Sequence, residues 1–99
     1  MAKFLLLWES DITRAPVDPK QRIAGWTMLL NMVKEDLESG RLKDFGAFPG
    51  EHAGYCIIEG TEQDILRGTE RYVPYVRFKT HTVLSLSQVL ESMKALSQR

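Results

Sequence analysis

The sequence predicts an α+β fold: a four-stranded antiparallel sheet with two helices crossing one of its faces and a further helix at the C-terminus. Three observations predict it. The segment KFLLLWE, residues 3–9, is apolar at nearly every position. The hydrophobic period then switches between 3.6 and 2 in the order β-α-β-β-α-β-α. The first six of those elements form a split βαβ unit, whose first strand lies in the middle of the sheet, as a strand covered on both faces should.

The first strand is followed by a polar loop, residues 10–17. Asp18-Pro19-Lys20-Gln21 then supplies an N-cap acid, a proline preset for the first helical position and a Gln placed to reach back. Ile23, Trp26, Leu30, Val33 and Leu37 recur at spacings of 3 and 4, with Leu29 widening the stripe. Gly40 suits the position just past the end, so the spacing predicts a helix over 19–39 with this stripe on the core. Gly25 in its interior costs up to about 1 kcal/mol. It marks either close packing on the sheet or room for a ligand.

Residues 42–48 and 54–59 read as strands joined through Pro49-Gly50-Glu51-His52. Thr61-Glu62-Gln63-Asp64 opens a short helix carrying Ile65 and Leu66, which fades near Arg71 because Pro74 lies just beyond. Residues 74–83 alternate. Val76 and Phe78 share a face with Pro74, Thr80 and Thr82, and Tyr75, Arg77, Lys79 and His81 take the other. Leu86, Val89, Leu90, Met93 and Leu96 form a last helical stripe after a cap at Ser85 or Ser87. A single domain over 1–99 accounts for the whole chain.

Charge and composition narrow the function. Thirteen basic and thirteen acidic residues give no net charge, and no run of Lys and Arg falls on one face, so the attraction that nucleic-acid binders rely on is missing. The longest apolar run, Phe4 to Trp8, is five residues, against about 20 for a membrane span. A lone Cys56 forms no internal disulfide, and no His/Cys spacing matches a zinc site. The expectation is a reduced, cytoplasmic protein without metal or cofactor.

The first strand is apolar on both sides, with Phe4, Leu6 and Trp8 on one and Leu5 and Leu7 on the other. Two crossover helices cover one face only. The other face needs the C-terminal helix, a ligand or a second copy of the chain, and a two-fold related copy is the commonest solution. A homodimer with sheets packed face to face is therefore expected.

The strand ending in Trp8-Glu9, the long first helix, the stretch Gly46-x-x-x-Gly50-x-x-x-Gly54-Tyr55-x-Ile57-x-Glu59-Gly60 and the final strand with its short helix together resemble the dimeric α/β-barrel superfamily of ferredoxin-like folds, in particular its small uncharacterised branch. The resemblance covers nearly the whole chain and rests mostly on glycines and apolar positions. It implies a ferredoxin-like dimeric barrel. The superfamily includes cofactor-independent monooxygenases, haem-degrading enzymes, muconolactone isomerase and stress-response proteins, and fold alone does not choose among them. The first strand here lacks the Asn of the haem-degrading members and the His of the stress-response branch. The His–Asp pair of the YCII-like members has a counterpart only in His52 and Asp44, on opposite arms of the hairpin.

The side chains able to carry chemistry are few. His81 stands with Arg77 and Tyr75 on one face of the last strand. They serve either as a general base, an anion holder and a hydrogen-bond donor in a barrel cavity, or as a polar edge that discourages strand pairing. Tyr55, Ile57 and Glu59 share a face and line a pocket or the core. Trp8 and Glu9 end the central strand at a pocket mouth, with Trp8 otherwise a core anchor. Trp26, Met28, Leu29 and Met32 on the first helix line an apolar ligand pocket or pack as core. Cys56, between apolar neighbours, reads as a small hydrophobe. The catalytic candidates are thus His81, Arg77 and Tyr75, and the ligand-binding candidates Trp8, Glu9, Trp26, Tyr55 and Glu59. The expected activity is binding of a small organic ligand in an apolar cavity, with cofactor-independent monooxygenase or isomerase chemistry if there is catalysis. The alternative is a non-enzymatic dimerisation or ligand-sensing module.

Overall fold

A computed structural model describes residues 2–98. The elements are β1 (Ala2–Ser10), a 3-10 turn (Ile12–Arg14), α1 (Pro19–Ser39), β2 (Asp44–Phe48), β3 (Ala53–Gly60), α2 (Glu62–Glu70), β4 (Val76–Val83) and α3 (Leu86–Ser97). All strand pairs are antiparallel and the sheet order is β2-β3-β1-β4, so β1 is central as its apolar run requires. No helix among the described residues is long and apolar enough to cross a membrane.

The ends of α1 fall where the sequence places them. Asp18 accepts the Gln21 amide, Pro19 opens the helix, and Gly40 closes it at φ 84°, a left-handed conformation that glycine takes without strain. Two strands start later than expected. Leu42 belongs to the helix end, because its N–H goes to the Asp36 carbonyl at 3.0 Å. Before β4, the amides of Tyr75 and Val76 both return to the Tyr72 carbonyl, so the chain is still turning there.

The register sorts the side chains. Leu6 lies opposite Cys56 and Thr80, and Trp8 opposite Gly54 and Phe78, all on the helix side. On the other side Leu5 faces Ile57 and His81, Leu7 faces Tyr55 and Lys79, and Glu9 faces Ala53 and Arg77. The core is small: Phe4, Leu6, Leu42, Cys56 and Ile65, with Val33, Phe45, Ile58 and Phe78 against it.

Two expectations about packing need correction. The α1 stripe is not uniformly buried: Ile23 is 62% and Leu30 51% exposed, and the one buried side chain of the helix is Asp36. Polar bonds pin α1 at its C-terminal end, and Val33 is the residue of the stripe that packs against the core. Gly25 does not pack closely on anything either, since a Cβ added there would meet nothing within 4 Å.

The α3 helix forms with a full capping box, in which Ser85 accepts the Gln88 amide and Gln88 accepts the Ser85 amide. None of its residues is buried, and the five apolar side chains of its stripe are 38% to 75% exposed. The molecule measures 62 × 26 × 20 Å and its radius of gyration is 16.7 Å, against about 12.6 Å for a compact domain of this length.

Candidate functional site

The space under α1 is a cavity of about 880 Å³. Leu29, Leu30 and Val33 from the helix and Leu6, Phe45 and Phe78 from the sheet wall it. Trp26 and Asp36 line it ten residues apart on α1, so it runs about 15 Å along the helix at 1.5 Å per residue.

One end is aromatic. Trp8 stacks nearly parallel on Phe45, with ring centroids 5.5 Å apart, and its Nε1 donates to the Tyr55 carbonyl at 3.2 Å. Trp26 stacks on His52 at 6.0 Å. His52 holds a left-handed φ of 51° in the β2–β3 turn, and its carbonyl accepts the Ser10 amide at 2.9 Å, which ties that turn to the end of β1. Two glycines of the β2–β3 hairpin make room for aromatic rings on opposite faces of the sheet. A Cβ on Gly54 would sit 2.5 Å from Trp8 Cζ2, and one on Gly46 would sit 2.2 Å from Tyr55 Cε1. Each ring therefore lies flat over a residue with no side chain, which is the steric reason for two glycines of the long motif.

The other end is ionic. Asp36, 4% exposed, accepts Arg41 Nε at 2.9 Å and Arg71 Nη1 on its Oδ1, and the Tyr72 hydroxyl at 2.9 Å on its Oδ2. Burial raises the Asp36 carboxyl pKa, but the three donors outweigh it and hold the group below its ordinary value. Burial and then the hydrogen bond to Asp36 push the Tyr72 phenol well up. The Asp36 bond likewise raises Arg71. All three therefore keep their neutral-pH forms: carboxylate, phenol and guanidinium. Burial also pushes the Cys56 thiol up to about 11, so it stays protonated and is not poised as a nucleophile.

No protein-family model matches the chain, and comparison with curated proteins gives no match. The site is therefore read from its own geometry.

Of the residues expected to bind a ligand, Trp8, Trp26 and Glu59 line this cavity, and Leu29 joins them from α1. Met28 and Met32 are not in its wall. Tyr55 lies on the far side of the sheet, where its hydroxyl donates to Asp44 Oδ2 at 2.7 Å; that bond first, then burial, raises its phenol. Glu9 sits there too, opposite Arg77. His81 and Arg77 also occupy the far face, exposed, and Tyr75 precedes β4, with its carbonyl accepting the Asp11 amide at 2.8 Å. The sheet thus separates the expected acid–base group from the cavity. His52 and Asp44 do not meet: one stacks on Trp26 and the other holds Tyr55.

Sequence reasoning missed Asp36, Arg41, Arg71 and Tyr72. A signal for the first was present: Leu29, Val33 and Asp36 follow at i, i+4 and i+7, which puts a carboxylate on the apolar row. Among the described residues no group of three or more His, Cys, Asp and Glu side chains is placed to hold a metal.

Proposed function

We propose that the chain forms a two-fold homodimer of the ferredoxin-like, dimeric α/β-barrel kind and binds a small organic molecule under α1. The carrying observation is the cavity itself, apolar along its walls, flanked by Trp8 and Trp26 and closed by a polar end. Its volume lies within the roughly 300–1,000 Å³ of small-molecule sites. Binding is favoured over acid–base catalysis because His81, Arg77 and Tyr75 do not line it. A monooxygenase or isomerase built on those three residues would work instead in the space between two sheets.

The homodimer rests on surface. The exposed area is 7432 Å², against about 5,700 Å² for a folded monomer of this mass. The surplus of about 1,700 Å² exceeds the roughly 800 Å² that each partner contributes to a standard interface. Leu5, Leu7 and Ile57 are half-buried on the back of the sheet, rimmed by charged residues, and no residue of α3 is buried. The lone Cys56 suits a reduced, cytoplasmic setting.

Both tryptophans of the chain line the cavity, so intrinsic fluorescence reports directly on occupancy. A thermal-shift screen with aromatic and aliphatic acids, alcohols and amides, followed by tryptophan quenching for each hit, tests the reading. A ligand at 100 times its Kd adds about 2.7 kcal/mol of stability. No shift across the panel rejects ligand binding and leaves a dimerisation module.

A further inference from the structure

The ionic end of the cavity holds more guanidinium donors than its buried carboxylate uses. One buried carboxylate, Asp36, is met by two guanidiniums and a phenol. Burying a carboxylate calls for one well-placed cationic partner, and Arg71 with Tyr72 already gives each Asp36 oxygen a donor. Arg41 is surplus to that need. It donates to Asp36 only through Nε, its side chain is 60% exposed, and it lines the cavity. Arg71 likewise uses only Nη1 toward Asp36.

The other charged side chains that line the cavity are Glu59, Asp64 and Arg67, so the lining as a whole carries three guanidiniums and three carboxylates. Asp64 is taken by Arg67 at 2.7 Å, and the hydrogen bonds it accepts from Thr61 and Arg67 hold its carboxyl below the ordinary value. Glu35 favours the charge of Arg71 but forms no ion pair among the described residues. What stands free is geometric: the outer N–H donors of Arg41 meet no acceptor among the described residues, so part of a planar guanidinium fork is open at the end of an apolar channel.

We propose that the ligand is a monocarboxylate with an elongated apolar or aromatic body, its acid group held by Arg41 and Arg71 and its body lying along α1 toward Trp8 and Trp26. Bidentate guanidinium–carboxylate contact supplies the orientation, and about 15 Å of channel fits a chain of about ten carbons. Asp36 is the positioning residue. It fixes both guanidiniums in place through its Oδ1. This inference rests on the cavity being the binding site.

The test uses matched probes on the full chain, decanoate against decan-1-ol and 4-phenylbutyrate against 4-phenylbutan-1-ol, read by quenching of tryptophan fluorescence. The expected result is that each acid binds at least 10-fold tighter than its alcohol. Arg41→Gln, at an exposed side chain that leaves Arg71 and Tyr72 on Asp36, should bring that ratio to about 1 through weaker binding of the acid. Arg41→Lys should restore part of it. Thermal melts confirm that both variants fold. Equal binding of acid and alcohol, or a preference for acids that survives Arg41→Gln, overturns the anion assignment while the cavity remains a binding site. Failure of all four probes to quench overturns both.

Discussion

At Asp36 a single carboxylate joins three segments: its own helix, Arg41 in the turn after α1, and Arg71–Tyr72 after α2. Removing one partner of a buried charge network leaves the others uncompensated, typically at 3–5 kcal/mol. Asp36→Asn should therefore cost about 3 kcal/mol, at the low end because Arg41 and Arg71 reach solvent, and lower Tm by more than about 10 °C in a chain of this size. The pH dependence follows from the depressed carboxyl. A group whose folded pKa lies below its unfolded value of 3.8 stabilises fully above that value and loses its contribution as pH falls through the folded one. Urea melts at fixed protein concentration should show a constant gap between wild type and Asp36→Asn from pH 5 to 7, closing below about pH 4. A gap that persists unchanged to pH 2.5 would mean that Asp36 acts through shape rather than charge. The sequence marks Asp36 as out of place on its row but not its partners, since Arg71 and Tyr72 lie 35 and 36 residues away and only the tertiary fold brings them in.

At the scale of elements, local chemistry was legible and packing was not. The bounds of α1 follow from Asp18, Pro19 and Gly40, and the caps of α2 and α3 from Thr61 and Ser85, because these bonds close within one turn of chain. Periodicity reveals which side of a helix is apolar but not what will lie against it. Thus the spacing of the α1 stripe predicts core, where much of it lines an open cavity or faces solvent. Gly25 sharpens the point. Inside a helix it is about 0.8 kcal/mol worse than Ala, and space around it is free. Gly25→Ala should stabilise the chain by about that amount in urea melts, and leave ligand quenching of Trp26 unchanged. A loss of stability would show that another body approaches the helix at this residue.

For the whole molecule the deciding quantity is the surface left over. Isolated helices shorter than roughly 12–15 residues are marginal in water, yet α3, 12 residues long, is built with a complete capping box and an apolar stripe that its own chain leaves bare. A stripe that contributes nothing to the monomer's core is available to a second copy, as is the half-buried strip of Leu5, Leu7 and Ile57 behind the sheet. The sequence made that second surface visible through the unbroken apolar run of β1, but the first was hidden, since an amphipathic helix reads the same whether it packs on its own sheet or on a neighbour's. Substituting both Leu90→Glu and Met93→Glu should therefore weaken the dimer at least 100-fold, about 2.8 kcal/mol at 1.4 per decade, while far-ultraviolet circular dichroism keeps the signal of β1–β4, α1 and α2. Sedimentation equilibrium of wild type and variant from 1 to 100 μM is the measurement. Wild type should be dimeric throughout and the variant largely monomeric at the low end. A wild-type chain that sediments as a monomer at 100 μM removes the partner, and with it the barrel and any chemistry assigned to His81, Arg77 and Tyr75, while the cavity beneath α1, formed within one chain, stands independently.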